Sequence, residues 1–566
     1  CATQSGDRQP PMRRSPGGSR VIRPLSGDPE VARPLHREGG MTATANDPAT
    51  ICGKPLGLAV SHSSSLIGLD ARPIRVEVCC TRGPSFFQLV GLAEAAVREA
   101  RVRVASALAK LGILLDEYAL TVSLAPADLR KSGAALDVPL AAAILAAIDK
   151  LDPRSLGPTL LLGELSLDGS LQPIRGVLPQ LDGARQRGFA QAIVPFGNAA
   201  EAGLVGGIRV RLARTLEEVV EGLAGKVELP EAPRTQFVPT LQVGVGDLRD
   251  VRGQATARRA LEIAAAGNHN LLMIGPPGGG KTLLARLLPT ILPPLTFAEA
   301  IETTAIHSVA GLLPPEKGIV SARPFRAPHH SVSEAGLVGG GDVPRPGELS
   351  LAHNGVLFLD ELPEFRRSAL EALRQPIEDG KVCIARARAR AWFPARPLLV
   401  VALNPCPCGY RGHPQRNCRC GRHEWQRYQA RLSGPLLDRL DVHVQVPPVE
   451  VSALTSTTVA ESSASVRERV QAARERQRQR QAQGSTSAST NAGLSPKEVE
   501  HAGQLDGEGK RLLERAITQL GLSARAFVRV LRVARTIADL ESSDRVRAAH
   551  VAEAIQGRLL DREGAV

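Results

Sequence analysis

A glycine-rich stretch in the middle of the chain carries the residues with the most recognisable chemistry. Four apolar residues, Leu271–Ile274, predict a short buried strand, which is followed by the spacing G-x-x-x-x-G-K-[ST] and an apolar helix. In such a loop backbone N–H groups face phosphate oxygens, the lysine supplies positive charge, and the threonine hydroxyl can ligate Mg²⁺. The predicted phosphate-binding residues are Gly275, Pro276, Pro277, Gly278, Gly279, Gly280, Lys281 and Thr282. The alternative is an ordinary glycine-rich turn.

Two carboxylates, Asp360 and Glu361, end a second apolar strand farther along the chain. In this position Asp360 can hold Mg²⁺ through water, and Glu361 can polarise a water molecule in line with the γ-phosphate. The two side chains could instead only cap the next turn. Together with the glycine-rich loop, they predict Mg²⁺-dependent hydrolysis of ATP.

Composition limits the remaining possibilities. At 566 residues the chain is long enough for about three or four domains. Its formal net charge of +13, carried mostly by arginine, favours an anionic partner such as nucleic acid. An aromatic content of only 3% argues against a platform that stacks successive bases and for contacts to the phosphate backbone. No apolar run reaches about 18 residues, so we expect a cytoplasmic protein with no membrane partner.

Four of the nine cysteines form two close pairs, Cys406 with Cys408 and Cys418 with Cys420. In a reducing compartment such a cluster predicts a tetrahedral Zn²⁺ site rather than disulfides. The alternatives are free or redox-active thiols and an Fe–S cluster. If one cysteine is not a ligand, His413 or His423 could replace it.

Two further groups of residues suggest binding. Strict alternation from Val382 to Ala391 predicts that Arg386, Arg388 and Arg390 share one face of a strand, where they could hold a phosphate backbone. The alternative is a solvated edge strand that its charges protect from aggregation. The adjacent His329 and His330 are expected to face opposite sides of an extended segment, which favours packing or DNA contact over a shared metal ion.

The sequence divides into segments of different character. The N-terminal segment is rich in Gly, Pro, Ser and Arg and is expected to be disordered or to precede the true start. A mixture of strand and helix patterns follows, with Ile74, Val76 and Val78 alternating as a half-buried strand. A very basic helix, Ser465–Gln483, is interpreted as a solvated lid helix or a DNA contact. The predicted segments are 1–55 (disordered), 56–227 (α/β domain), 228–245 (linker), 246–450 (ATPase core with the cysteine loop 406–420) and 451–566 (helical lid).

Several motifs resemble the YifB/ComM family of magnesium-chelatase-like AAA+ ATPases. In the ATPase core these are Arg323–His330, Gly339–Gly341, Pro346–His353 and Ser433–Asp441. The α/β domain resembles the Lon-protease-like fold at the N-terminus of that family, on the motifs Ala125–Lys131 and Gly163–Gly169. The resemblance implies an α/β fold class: a Lon-protease-like α/β domain, then an AAA+ P-loop α/β core with a C-terminal helical lid.

The Lon-like resemblance does not imply peptidase activity. Where Lon peptidases carry a serine nucleophile and a lysine, the matching stretches here are Gly133–Asp137 and Arg175–Pro179, which supply neither group. A rearranged pair of Ser132 and Lys131 would be adjacent in sequence, and neighbouring side chains point apart.

The same resemblance implies roles for three polar residues. Asn404, at the end of a predicted strand, would help to hold the attacking water, and Arg439 would reach the nucleotide of a neighbouring subunit. The alternative for Arg439 is an intrachain ion pair with Asp438 or Asp441. Arg525, in the first turn of a helix that Ser523 caps, would contact the γ-phosphate.

The resemblance also implies a biological activity. The family forms ring-shaped homo-oligomers, typically hexamers, and in such a ring the arginine-bearing hairpin would face the pore. The implied function is ATP-driven movement on branched or single-stranded DNA, such as branch migration or helicase activity in recombination of incoming DNA during natural transformation. The alternatives are a metal-chelatase motor subunit and an ATPase that remodels protein partners.

Overall fold

A computed structural model gives the structure of the chain. It describes residues 55–91, 95–127, 129, 135–242, 244, 246–314, 316–386, 389–431, 434–449, 460–520 and 523–558. The predicted disordered start therefore lies outside the described residues, apart from its last position. Among the residues described, no helix is both long and apolar enough to cross a membrane.

The first α/β unit is built on a mixed sheet. Strands β1–β9 span Pro55–Ile67, Asp70–Arg82, Phe86–Val90, Tyr118–Ala125, Thr159–Leu161, Glu164–Leu165, Leu171–Gln172, Gln191–Pro195 and Arg209–Ala213, and helices α1–α5 span Ala95–Lys110, Asp137–Ala147, Val177–Gln186, Ala199–Ala202 and Leu216–Leu223. Seven of these strands pair in the order β3-β4-β2-β1-β5-β8-β9. The predicted alternation in β2 is confirmed, because Ile74, Val76 and Val78 are fully buried.

A buried ion pair fixes the start of α2 in this unit. The Asp137 carboxylate is fully buried and accepts from the Arg103 guanidinium at 2.6 Å and from the Leu165 N–H at 3.0 Å. Burial raises the pKa of Asp137, while the bonds from Arg103 and Leu165 oppose that shift. Asp137 therefore has a packing role, while Lys131, Ser132 and Gly133 lie outside the described residues.

The second unit contains the predicted phosphate-binding loop. Strands β10–β18 span Leu271–Ile274, Phe325–Arg326, Gly339–Gly340, Arg345–Pro346, Val356–Leu359, Lys381–Arg386, Ala389–Pro394, Leu398–Leu403 and Val442–Gln445. Helices α6–α14 span Ala255–Gly267, Lys281–Ile291, Phe297–Ala310, Glu334–Val338, Glu348–Leu351, Arg367–Ala372, Arg374–Asp379, Arg422–Arg431 and Gly434–Leu437. Five strands form a parallel sheet in the order β11-β14-β17-β10-β18, so that β10 lies between β17 and β18.

Both faces of this parallel sheet are covered, as continuous apolar strands require. Leu271 and Met273 face a core that includes residues of α6, α7 and the C-terminal helices. Leu272 and Ile274 face a second core, which includes the inner residues of the β15–β16 hairpin. The hairpin is therefore packed against the strands whose ends carry the candidate catalytic residues.

The C-terminal region is helical, as predicted. Helices α15–α19 span Ser463–Ala482, Pro496–Gly503, Gly507–Leu520, Ala524–Leu540 and Ala548–Gln556. Helices α16 and α17 are separated at Gln504, which has a left-handed backbone with φ of 40°. The predicted N-cap is confirmed, since the Ser523 hydroxyl accepts from the Ala526 N–H at 3.2 Å.

The basic helix α15 is solvated on one side only, where Glu468, Ala472 and Glu475 are exposed. It buries Val466, Val470 and Ala473 in the same core as α6 and α7. Its arginines bind within the chain: Arg469 pairs with Glu262 at 2.6 Å, and Arg474 donates to the Ala265 carbonyl at 2.8 Å. These guanidinium groups are engaged in packing, which weakens the prediction that α15 contacts DNA.

The Lon-like unit packs on the ATPase core through a buried polar contact. The Glu201 carboxylate accepts from the Ser308 hydroxyl of α8 and from the Leu178 N–H at 2.8 Å. Ser308 also accepts from the Gly176 N–H at 2.9 Å. Burial raises the pKa of Glu201, against hydrogen bonds that lower it. The start of α3 is thereby fixed to α8 of the ATPase core.

Candidate functional site

The phosphate-binding loop has the backbone that its glycines predict. Gly278 and Gly280 have φ of 78° and 91°, which favours glycine. At Gly275 a Cβ atom would lie 2.1 Å from the Val446 carbonyl oxygen, so no side chain fits there. The residues predicted from spacing therefore form one loop between β10 and α7.

Lys281 is held inside this loop. Its Nζ donates to the carbonyls of Gly275 at 2.7 Å and Pro276 at 3.0 Å, and to Asn404 Oδ1 at 3.1 Å. Burial lowers the pKa of Lys281, and the charges of Asp360 and Glu361 oppose that shift. The side chain is 8% exposed, so its ammonium group is poised at the loop rather than in solvent.

The two predicted carboxylates lie beside the loop, at the end of β14. The Thr282 hydroxyl donates to Asp360 Oδ2 at 2.7 Å, which brings together the two side chains that could hold Mg²⁺. Glu361 has a left-handed backbone with φ of 51°, and its side chain is 58% exposed. The Glu361 carboxylate is therefore accessible to water.

Asn404 lies at the end of β17, the strand between β14 and β10. Besides its contact with Lys281, its backbone carbonyl accepts from the Tyr428 hydroxyl at 2.8 Å. Burial raises the pKa of Tyr428, so this hydroxyl remains a donor at neutral pH. A cavity of about 450 Å³ adjoins this region and is lined by Glu361, Pro363, Glu364, Asn404, Pro407, Glu424, Arg427, Tyr428 and Arg431.

Two residues of this region were not singled out from the sequence. Tyr428 lies in α13, far along the chain from the strand end that it contacts. Gln254 also has a left-handed backbone, and its Nε2 donates to the carbonyls of Pro447 at 2.5 Å and Gly279 at 3.3 Å. No local pattern could have identified either residue, because each acts through long-range contacts with backbone carbonyls.

The four clustered cysteines converge between β17 and α13. Their sulfur atoms all lie within 4.8 Å of one another, and the Cys406–Cys408, Cys408–Cys418 and Cys406–Cys418 separations are 3.4, 3.6 and 3.7 Å. Sulfurs around a tetrahedral metal with bonds of about 2.3 Å are separated by about 3.8 Å, so the cluster has suitable dimensions.

The four thiols differ in their electrostatic surroundings, and their loop contacts the phosphate-binding loop. Although burial opposes it, N–H groups of Tyr410 and Arg419 lower the pKa of the Cys408 thiol to about 6, whereas burial raises the pKa of Cys406 and of Cys420. The backbone of Gly409 approaches Pro277 so closely that a Cβ would lie 2.4 Å from the proline Cδ. Neither predicted substitute ligand is required.

The expectation that His329 and His330 face opposite sides is wrong. Their ring centroids are 4.0 Å apart, and His329 Nδ1 lies 2.8 Å from the Ser331 hydroxyl. His330 Nδ1 lies 3.5 Å from the Glu361 carboxylate. In the described part of the chain the only potential metal cluster found is the cysteine one, which favours packing or DNA contact over a shared metal ion for the histidine pair.

The prediction that Arg386, Arg388 and Arg390 share one face of a strand is also wrong. Strand β15 ends at Arg386 and β16 begins at Ala389, so the chain reverses within the arginine run, and Arg388 lies outside the described residues. Arg386 pairs with Ala389, and Ala385 with Arg390. Because paired residues share a face and neighbours alternate, Arg386 and Arg390 lie on opposite faces.

The two arginines predicted to contact nucleotide, Arg439 and Arg525, lie in different surroundings. Arg439 forms an intrachain ion pair, but its partner is Glu378, at 2.5 Å, and its side chain is only 12% exposed. Asp441 instead pairs with Arg529 at 3.4 Å. Arg525 is exposed in the first turn of α18.

The parallel sheet, phosphate-binding loop and paired carboxylates define an AAA+ P-loop ATPase with a Lon-protease-like N-terminal unit. The chain matches the descriptions magnesium chelatase, subunit ChlI over residues 247–454, subunit ChlI of Mg-chelatase over 76–198, and magnesium chelatase, subunit ChlI C-terminal over 460–558.

The chain is also similar to complete proteins. It is 44% identical over 515 residues to competence protein ComM of Haemophilus influenzae, a match that covers 90% of this chain and 98% of ComM. The uncharacterized protein YifB of Escherichia coli is 44% identical over 510 residues, with the same coverage. Lon protease 2 of Bacillus subtilis is 30% identical over 152 residues, 25% of this chain and 26% of that protein. The chain belongs to the YifB/ComM family of magnesium-chelatase-like AAA+ proteins, which confirms the predicted resemblance.

Proposed function

We propose that this protein hydrolyses ATP in a Mg²⁺-dependent reaction and uses the energy to move DNA strands, as in branch migration or unwinding during recombination of incoming DNA. The observation that supports the chemistry most directly is the convergence of Lys281, Thr282, Asp360, Glu361 and Asn404 at the adjoining ends of β10, β14 and β17. These strands are far apart in sequence, and the fold brings their polar ends together.

Each of these side chains has a distinct task. When ATP binds, Lys281 exchanges its carbonyl partners for phosphate oxygens, to which a charged donor binds more strongly. Thr282 and Asp360 would hold Mg²⁺, which would supply positive charge to offset that of the phosphates. Glu361 accepts a proton from the attacking water, and Asn404 helps to orient that water.

A homo-oligomeric ring, taken to be a hexamer, would complete the site. Arg439 would leave Glu378 and reach the nucleotide of the adjacent subunit, where a guanidinium stabilises charge on the transferring phosphoryl group. Arg525 would contact the γ-phosphate of its own subunit from the lid.

DNA is the proposed partner for three reasons. The chain has a net charge of +13. The β15–β16 hairpin presents exposed Arg386 and Arg390, and Arg388 lies between them in sequence. A relative that is aligned over nearly its whole length is named a competence protein.

The proposed function predicts that DNA stimulates the ATPase. We expect kcat to rise when DNA is added, because phosphate contacts at the hairpin would be coupled through its core to the strands of the nucleotide site. The measurement is steady-state ATP turnover without DNA and with single-strand, duplex and junction DNA, with Lys281→Ala as the control for contaminating activity. Turnover that no DNA changes would favour the chelatase-type or protein-remodelling alternatives.

We further propose that Cys406, Cys408, Cys418 and Cys420 hold one structural Zn²⁺ per chain. Such a metal contributes directly to the stability of its loop, because its bonds to the four sulfur atoms form only when the loop is folded. We expect the double variant Cys406→Ser with Cys418→Ser to lose the metal and to unfold at a lower thermal midpoint. The control is Cys383→Ser, at an exposed cysteine outside the cluster, which should keep both the metal and the parental midpoint. Elemental analysis of protein purified without chelator measures the zinc content per chain, and an absence of zinc in the parent protein would refute the proposed zinc site.

A further inference from the structure

The β15–β16 hairpin has two chemically different faces. Its inner face is fixed in the core by Val382, Ile384, Ala391 and Phe393, each at most 6% exposed. Cys383 pairs with Trp392, and Ala385 with Arg390, so these residues lie together on the opposite side. We call this the outer face, and its members are Lys381, Cys383, Ala385, Arg390 and Trp392. All five are exposed.

The outer face includes a tryptophan that is partly exposed to solvent. Trp392 is 45% exposed, although a buried aromatic ring contributes more to stability than most side chains. Lys381 Nζ lies 4.6 Å from the centroid of the ring, in the geometry of a cation–π contact. The turn between β1 and β2 packs against this strand at Gly68, where a Cβ would lie 3.2 Å from the Trp392 carbonyl oxygen. That contact is made by the backbone of Trp392, whose side chain stays partly exposed.

The positive charge of the hairpin indicates an anionic ligand. The segment 381–394 contains four cations and no acidic residue. Lys381 and Arg390 share the outer face with the tryptophan, so an aromatic surface lies between donors suited to phosphate oxygens. A single nucleic-acid strand offers both complementary groups, a base with a free π-face and a negatively charged backbone. A duplex offers only the backbone, because its base faces are stacked.

We propose that the outer face is a binding site for single-stranded DNA, in which one base stacks on Trp392 and the adjacent phosphates contact Arg390 and Lys381. This inference rests on the proposed function, because it assumes that DNA is the partner. One exposed tryptophan provides a single stacking position, which is compatible with an aromatic content too low for a platform of successive bases.

The hairpin is well placed to transmit this contact. Its inner residues Ile384 and Phe393 belong to the same core as Leu359 and Leu403, which directly precede the candidate catalytic Asp360 and Asn404. If the hairpin moved along bound DNA, the packed side chains of this core would therefore pass the displacement to the ends of β14 and β17.

Tryptophan fluorescence tests the proposal in the full chain. The protein has two tryptophans, so in Trp425→Phe all tryptophan fluorescence comes from Trp392. We expect oligo(dT) to quench this emission and duplex DNA of equal length to leave it unchanged. Trp392→Ala should weaken oligo(dT) binding about 5- to 150-fold, and Trp392→Phe should retain most of it. Arg390→Ala should reduce the salt dependence of single-strand binding by about 0.7 in log–log slope.

The matched control is Phe86→Ala, an exposed aromatic residue of the Lon-like unit at 47% exposure, which should bind oligo(dT) like the parent. Unquenched emission together with parental affinity in Trp392→Ala would overturn the proposal, while DNA-stimulated ATPase in the same protein would leave the proposed function intact. Loss of oligomerisation in both Trp392 variants would assign the face to a subunit contact, and preference for oligo(U) would assign it to RNA. A parent that binds no DNA would instead refute the proposed function.

Discussion

Glu361→Gln is expected to bind ATP as the parent does and to hydrolyse it about 100- to 10,000-fold more slowly, the usual contribution of a general base. The amide has the shape of the carboxylate but cannot accept the proton of the attacking water. The exposed Glu361 side chain lies outside the phosphate-binding loop, in which Lys281 and the backbone N–H groups are the donors to phosphate. Binding of a fluorescent ATP analogue and steady-state kcat measure the two effects separately.

Two comparisons make this prediction specific. Lys281→Ala should lose nucleotide binding itself, because it removes a buried ammonium group from the loop. Glu364→Gln is the matched control, since Glu364 lines the same cavity and pairs with Arg431 at 3.3 Å, and we expect its turnover to remain near the parental value. Near-normal turnover in Glu361→Gln would show that another group activates the water.

Features encoded by contiguous residues were predictable from the sequence. The loop Gly275–Thr282 has a spacing that follows from how backbone N–H groups surround a phosphate, and the structure forms that loop between a strand and a helix. Cys406 and Cys420 are close in sequence, so their convergence needs only one loop. In both cases local chain geometry determines most of the site.

Features that depend on distant partners were not predictable. The family resemblance implied a hairpin in this segment, but the sequence has no glycine or proline between Arg386 and Ala389 to mark where the chain reverses. The alternation therefore indicated one shared face for the arginines, whereas the pairing of Arg386 with Ala389 separates Arg386 from Arg390. Helix α15 has few apolar residues, which suggested a solvated face. Two of its arginines, Arg469 and Arg474, instead bind a carboxylate and a carbonyl of α6, and burial lowers the pKa of Arg474 to about 9.

Helix α15 also joins the lid to the ATPase core through a buried cluster. The Asp539 carboxylate in α18 is fully buried and accepts from Arg480 at 2.6 Å, from Arg535 at 2.9 Å and from the Asn491 amide at 2.8 Å. Asn491 also donates to the Thr536 hydroxyl, which lies 2.7 Å from His269 Nε2, just before the strand of the phosphate-binding loop. The cluster therefore connects α15, α18 and β10.

Asp539→Ala is expected to destabilise the protein by about 3–5 kcal/mol, the usual cost of removing one partner of a buried ion pair. The cost is large because Arg480 and Arg535 would keep their charges without the carboxylate, and Arg535 is only 2% exposed. Asp539→Asn should lose less, because an amide oxygen can still accept a hydrogen bond. The control is Asp544→Ala, whose 95% exposed carboxylate pairs with Arg476 at 3.4 Å, and which should leave the urea midpoint unchanged. Equal midpoints for Asp539→Ala and the parent would mean that the apolar contacts between α15 and α18, rather than this ion-pair cluster, hold the lid on the core.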